Sequence, residues 1–188
     1  MTSFQLHTLE SAPESAKPIL AGAEQALGFV PNLYATMADA PALLEGYTTL
    51  AKVFDKSALS ATERQIVLLA VSFENDCDYC MAAHTAISGM QKVPGDVVAA
   101  LRDGMPLADA KLEALRAFTR GLVQARGFAQ AGDVQALLDA GYTRSTVLEV
   151  ILGVGLKTMS NFTNHVAKTP LDDAFEPVKW ERPAGAAV

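Results

Sequence analysis

Ser60-Ala61-Thr62-Glu63-Arg64-Gln65-Ile66-Val67-Leu68-Leu69-Ala70-Val71 decides the architecture of this chain. Ser60 and Glu63 have capping-box spacing: the serine hydroxyl accepts from the Glu63 amide, and the glutamate carboxylate reaches back to the serine amide. A firm helix start is predicted there. From Ile66 to Val71 no residue is polar, so the helix is apolar on nearly every side and belongs at the centre of a core. The polar cluster Glu74-Asn75-Asp76 ends or bends it. A second helix is expected from Cys77 to about Met90.

Working outward, the same helical period recurs. Upstream, Ile19, Leu20, Ala23, Ala26 and Leu27 form a stripe that Gly28 stops, Pro31 opens a short helix, and Pro41 opens one buried through Leu43, Leu44, Tyr47, Leu50 and Val53-Phe54. Downstream, helices are expected over 94–104, about 107–126 and 132–138, and Thr143 caps a further apolar helix that leads into Met159–His165. No segment alternates with period two between hairpin turns, so the fold class is all-α, a helical bundle. An irregular arm over 1–12, a helical domain over 13–176 and a tail over 177–188 are predicted. Within the domain, setting Thr62 against Ser145 aligns Cys77 with Ser160, Tyr79 with Phe162 and Cys80 with Thr163. Two helix-turn-helix repeats, about 41–104 and 107–169, would give this pattern; so would any pair of apolar helices.

Composition narrows the function. In 188 residues the net charge is −6 and half the residues are apolar. The basic residues never cluster, which argues against a nucleic-acid partner or an anionic membrane surface. No apolar run approaches the ~20 residues of a membrane span. The first residues lack a basic region followed by an apolar core, so no signal peptide is expected and a reducing cytoplasm is. There, a close cysteine pair is catalytic or metal-binding more often than structural.

Both cysteines and one of the three histidines fall within Cys77-Asp78-Tyr79-Cys80-Met81-Ala82-Ala83-His84. Positions three apart share a helix face, so Cys77 and Cys80 can approach disulfide distance. Cys77 is placed in the first turn, where free amides and the helix dipole favour a thiolate while Asp76 and Asp78 oppose it. His84, four residues after Cys80, would lie alongside that sulfur as proton acceptor or thiolate stabiliser, which makes Cys80 the better candidate nucleophile. Zinc is an alternative, but Cys77, Cys80 and His84 supply three ligands at most and a structural site takes four; His165 would have to fold over. Two buried cysteines and a satisfied core histidine are a further alternative. Tyr34 and Tyr47 are read as ordinary packing residues or pocket walls, and His7 as having no role.

Leu68-x-x-Val71 through Cys77-x-x-Cys80-x-x-x-His84, with Gly28-Phe29-Val30-Pro31-Asn32-Leu33, Ala40-Pro41 and Asn161-x-x-Asn164-His165, resembles the alkylhydroperoxidase D-like branch of the carboxymuconolactone decarboxylase superfamily, in its peroxidase-related, CxxC-containing subgroup. The resemblance spans about residues 20–180. It implies an all-helical homo-oligomer that reduces small hydroperoxides through its cysteine pair, with an external thiol or dithiol as reductant and no haem, flavin or metal cofactor. Carried over by position, Cys80 would be the peroxidatic thiol, Cys77 the resolving thiol and His84 part of the proton relay. Gln65 and Tyr79 stand where the better-known peroxidases place a relay glutamate and a histidine. Gln65 can orient His84 or a water but cannot take a proton, and tyrosine is a poor base at neutral pH. A lactone-decarboxylase type of acid-base enzyme, which would not need the thiols, and a non-enzymatic redox sensor are the competing expectations.

Overall fold

The computed structural model describes residues 4–185. Among them the elements are α1 Lys17–Leu27, α2 Asn32–Met37, α3 Pro41–Phe54, α4 Ala61–Glu74, α5 Asp78–Met90, α6 Gly95–Asp103, α7 Ala110–Gln124, α8 Ala131–Asp139 and α9 Arg144–Ala167, followed by a 3-10 turn Asp173–Val178. The described residues contain no strand, and the fold is all-α.

α4 is the central helix. Both halves of its capping box form: Glu63 N donates to Ser60 Oγ at 3.2 Å and Ser60 N to Glu63 Oε2 at 2.8 Å. Every residue from Gln65 to Glu74 is buried, because α5, α6, α7 and α9 all pack against it. Burying Glu74 would be costly alone. The Arg120 guanidinium and Gln124 Nε2, both from α7, donate to its carboxylate.

The polar cluster after α4 ends the helix in a defined way. Asp76 adopts a left-handed conformation with φ 55°, Asp76 N donates to Phe73 O at 3.1 Å, and Cys77 N to Ser72 O at 3.0 Å. That is the hydrogen-bond pair of a Schellman terminus. It turns the chain at once into α5, with Cys77 as the residue capping it. Arg182, from the tail, donates to the Asp76 carboxylate at 2.8 Å and clamps the turn from outside.

α9 runs 24 residues without a break. It passes straight through Ser160, so the turn between α4 and α5 has no counterpart there. Its closest approach to the core is at Gly153, where a Cβ would fall 2.7 Å from Val67 Cγ1 and 2.9 Å from Phe54 Cζ. Gly104, at φ 69°, closes α6 directly over the Phe73 ring. Trp180 packs edge-on to the same ring with centroids 5.8 Å apart and donates from its indole to Arg102 O at 2.8 Å. The tail is therefore a packing arm as far as it is described; residues 186–188, where a frayed end is expected, lie outside the described residues.

The N-terminal arm is irregular over 4–12, but its histidine has a role after all. His7 is buried and sits 2.7 Å from Asp39 Oδ1 through Nε2, with Nδ1 3.1 Å from Ser11 O, which pins the arm to the loop after α2. On the outer face of α9, Leu148, Ile151, Phe162 and Val166 are each about half exposed or more. Phe4, Met37, Leu43 and Met159 join Phe162 and Val166 around a shallow apolar depression. Among the described residues no helix is long and apolar enough to cross a membrane.

Candidate active site

The Schellman turn places Cys77 at the N-cap of α5 and Cys80 three residues on, in its first turn. The backbone amide of Cys80 at this helix start lowers the Cys77 pKa, although other effects outweigh it. Both are free thiols with no exposure to bulk solvent. They differ in what they face. Cys80 lines a cavity of about 440 Å³ whose walls also include Tyr34, Tyr47, Gln65, His84 and Lys157, whereas Cys77 does not reach it.

α9 supplies the other side of the sulfur pair. Lys157, Ser160, Asn161 and Asn164 are all buried, and their spacing puts them on one helix face. Asn164 Nδ2 donates to Cys80 Sγ at 3.3 Å and to Cys77 Sγ at 3.7 Å. Cys80 Sγ and Ser160 Oγ lie 3.7 Å apart. Asn161 fixes the register of this face, accepting from Asn75 Nδ2 at 2.9 Å and donating to Ser72 Oγ at 3.4 Å.

These surroundings separate the two thiols. Burial raises the Cys80 pKa, but the hydrogen bond from Cys77, the Lys157 charge and the donors Ser160 and Asn161 outweigh it and hold Cys80 well below the ordinary thiol range. Cys77 moves the other way, first through its hydrogen bond to Cys80 and then through burial. The hydrogen bond from Cys77 to Cys80 thus makes Cys80 the more acidic thiol of the pair.

His84 lines the same cavity, yet no hydrogen bond joins it to Cys80 among the described residues. Its Nδ1 lies 2.9 Å from Gln65 Oε1. An amide oxygen only accepts, so Nδ1 carries the proton and Nε2 is left as the acceptor. Gln65 is held in turn, donating from Nε2 to Gln91 Oε1 at 3.1 Å. Burial, and then the Lys157 charge, lower the His84 pKa well below its usual value, so the ring is neutral.

Tyr79 is engaged elsewhere. Its hydroxyl donates to Asp172 Oδ2 and accepts from Leu33 N at 3.2 Å, tying α5 to the start of α2 and to the segment before the 3-10 turn. Burial, then the Asp172 bond, raise its pKa, which leaves it protonated and structural. Tyr34 and Tyr47 meet edge-on with centroids 6.0 Å apart and form part of the cavity wall. His165 is exposed on α9, and no group of three or more His, Cys, Asp or Glu among the described residues could hold a metal.

Sequence reasoning missed Lys157 and Ser160. A signal was present: in the apolar run from Val147 to Leu156, the polar positions that follow at 157, 160, 161 and 164 share one face. A buried polar stripe on a core helix is a candidate site lining.

Residues 41–121 match the model of the carboxymuconolactone decarboxylase family. A comparison with curated protein sequences gives no match. Among solved structures, the chain is similar to an alkylhydroperoxidase AhpD core, an uncharacterized peroxidase-related protein from Ralstonia eutropha JMP134, with TM-score 0.81 and 20% identity over 93% of this chain and 96% of the other. An uncharacterized peroxidase-related protein from Silicibacter sp. TM1040 superposes with TM-score 0.78 at 20% identity, covering 93% and 95%. The debrominase Bmp8, as a cysteine-to-alanine variant in complex with 2,3,4-tribromopyrrole, gives TM-score 0.79 and 20% identity, covering 94% and 95%. At that identity the structures establish the fold, and the family match covers α3 to most of α7, the segment that holds both cysteines and His84. Over residues 41–121 the chain matches the carboxymuconolactone decarboxylase family model, and it has the AhpD-like helical fold.

Proposed function

We propose that this protein is a thiol-dependent oxidoreductase that reduces small hydroperoxides. The observation that carries the reading is the asymmetry of the pair: Cys80 on the cavity wall and Cys77 behind it, with Asn164 donating to both sulfurs and the Cys80 pKa lowered while that of Cys77 is raised. The Cys80 thiolate attacks the outer oxygen of ROOH, breaking the O–O bond to give a sulfenic acid and RO⁻, which takes a proton and leaves as ROH. The Cys77 thiol then condenses with the sulfenic acid, releasing water and forming the disulfide, and an external dithiol restores both thiols. His84, neutral, with Nε2 free to accept and on the same cavity wall as Cys80, serves the proton relay; Gln65 orients its ring. Adding one equivalent of hydroperoxide is expected to remove both titratable thiols, and dithiothreitol to return them. Retention of both thiols under excess hydroperoxide rejects the reading.

The cavity wall favours a second reading of the same pair. Phe29, Tyr34, Tyr47, Phe54 and Phe175 make it aromatic, and Bmp8, a debrominase bound to a brominated pyrrole, has the same fold. Reductive dehalogenation needs the same two thiols: an aryl bromide and two thiols give the arene, a disulfide and HBr. Offered a bromopyrrole in the thiol titration above, the protein would lose its thiols with equimolar bromide release.

We also propose that the protein self-associates through the outer face of α9, because Leu148, Ile151, Phe162 and Val166 leave an apolar stripe in water. A monomer mass by sedimentation at micromolar concentration overturns this.

A further inference from the structure

Lys157 is 1% exposed, and among the described residues no carboxylate lies within ion-pair distance of its ammonium. A lysine so deeply placed is ordinarily paired or neutral. What it faces is the cavity, whose wall it shares with Cys80 and His84. The face of α9 that carries it also carries Ser160 and Asn164, both in contact with the Cys80 sulfur. The helix therefore delivers the charge and the sulfur's hydrogen-bond partners as one rigid unit.

Among the described residues, the other titratable groups lining the interior of the cavity are uncharged. Tyr34 from α2, Tyr47 from α3 and Tyr79 from α5 are held protonated by burial; Cys77 keeps its proton, His84 is neutral and Gln65 from α4 does not titrate. Asp55 lies at the cavity rim, mostly exposed, with Arg64 Nε 3.5 Å away. The interior of the cavity thus holds one cation and one sulfur able to balance it.

We propose that Lys157 is the anion-binding residue of this cavity: it balances the Cys80 thiolate at rest and receives the negative charge that the reagent carries or releases once that sulfur reacts. This rests on reading the site as a thiol centre and extends it to a substrate class, small and largely apolar molecules bearing or generating one anionic group. When Cys80 is oxidised its own charge is gone, and the ammonium is left facing the alkoxide or other leaving anion. Such a group stabilises the transition state because it needs no reorganisation as charge moves from sulfur to leaving group.

The test reads the thiol and its reagents, not turnover. In the unmodified protein, thiolate absorbance at 240 nm and mass-spectrometric labelling of Cys80 should show half-titration below the ordinary thiol value of about 8.5; half-titration at or above it overturns the proposal whatever the variants do. In Lys157→Met, which replaces a buried charge by an apolar chain of similar length, the titration should move up by at least one pH unit, so that alkylation at pH 6 slows at least tenfold. Lys157→Gln provides the same comparison if the methionine variant does not fold. Anionic iodoacetate should slow at least threefold more than neutral iodoacetamide. An unmoved titration in a folded variant, or equal slowing of the two reagents, overturns the proposal. Since no hydroperoxide is used, absent peroxidase activity leaves this inference standing, and an unmoved titration leaves the peroxidase reading standing.

Discussion

Cys80→Ser is expected to lower hydroperoxide turnover by at least about a thousandfold, because an alcohol at neutral pH supplies almost none of the anion that the reaction needs. The fold should survive. Serine is close to cysteine in volume, and Ser160 Oγ and Asn164 Nδ2 remain as partners for the new hydroxyl. Cys77→Ser should behave differently. Cys80 can still attack once, so one equivalent of ROH forms, but no partner thiol follows and the sulfenic acid accumulates, trappable by dimedone. The Cys80 pKa should rise in Cys77→Ala, which removes the donor, since the Cys77 hydrogen bond is the first of the effects that lower it. Unchanged turnover in Cys80→Ser would remove the thiol mechanism altogether and return the site to acid-base chemistry of the lactone-decarboxylase kind, with His84 as the neutral base on the cavity wall. A Cys77→Ser protein that turned over at the normal rate would remove only the resolving role.

Local signals made the helices legible, and tertiary contact made part of the site illegible. The start of α4 is written in Ser60 and Glu63, and its depth in the apolar run from Ile66 to Val71. The start of α7 was less exact: an expected beginning at about Leu107 became Ala110, because Asp109 caps the helix through Lys111 N and Leu112 N while Leu107 N donates to the Glu113 carboxylate. Cys80 and His84, four residues apart, were expected to touch. Their side chains leave α5 toward different helices, Cys80 to Ser160 and Asn164 of α9 and His84 to Gln65 of α4. Spacing along one helix shows which residues share a face; it does not show which neighbouring helix each side chain meets. The contribution of Lys157 depends wholly on such a meeting, 77 residues after Cys80 in the chain.

The same dependence makes Gly153 the position where a change in packing should reach the chemistry. Gly153→Val puts a branched side chain where even a Cβ lies 2.7 Å from Val67 Cγ1 and 2.9 Å from Phe54 Cζ. Both neighbours are buried, Val67 on α4 and Phe54 at the end of α3, so neither can retreat into solvent. Overpacking of this kind costs about 3 kcal/mol, which for a domain of this length lowers Tm by roughly 6–12 °C. If α9 yields instead of the core, it moves as a rod. Lys157 is one turn beyond Gly153 and Ser160 two turns, so the groups that lower the Cys80 pKa shift with the helix. The expected signature is a joint one: a lower Tm and a Cys80 thiolate that titrates at higher pH, although the substitution is far from the sulfur in sequence and meets the cavity wall only at Phe54. Gly121→Ala on α7 is the control, since a Cβ there meets nothing within 4 Å; it should leave the thiol titration unchanged and raise stability by up to about 1 kcal/mol through helix propensity. If Gly153→Val loses stability while Cys80 titrates as before, α3 and α4 have absorbed the strain and α9 does not carry packing to the site as a rigid unit.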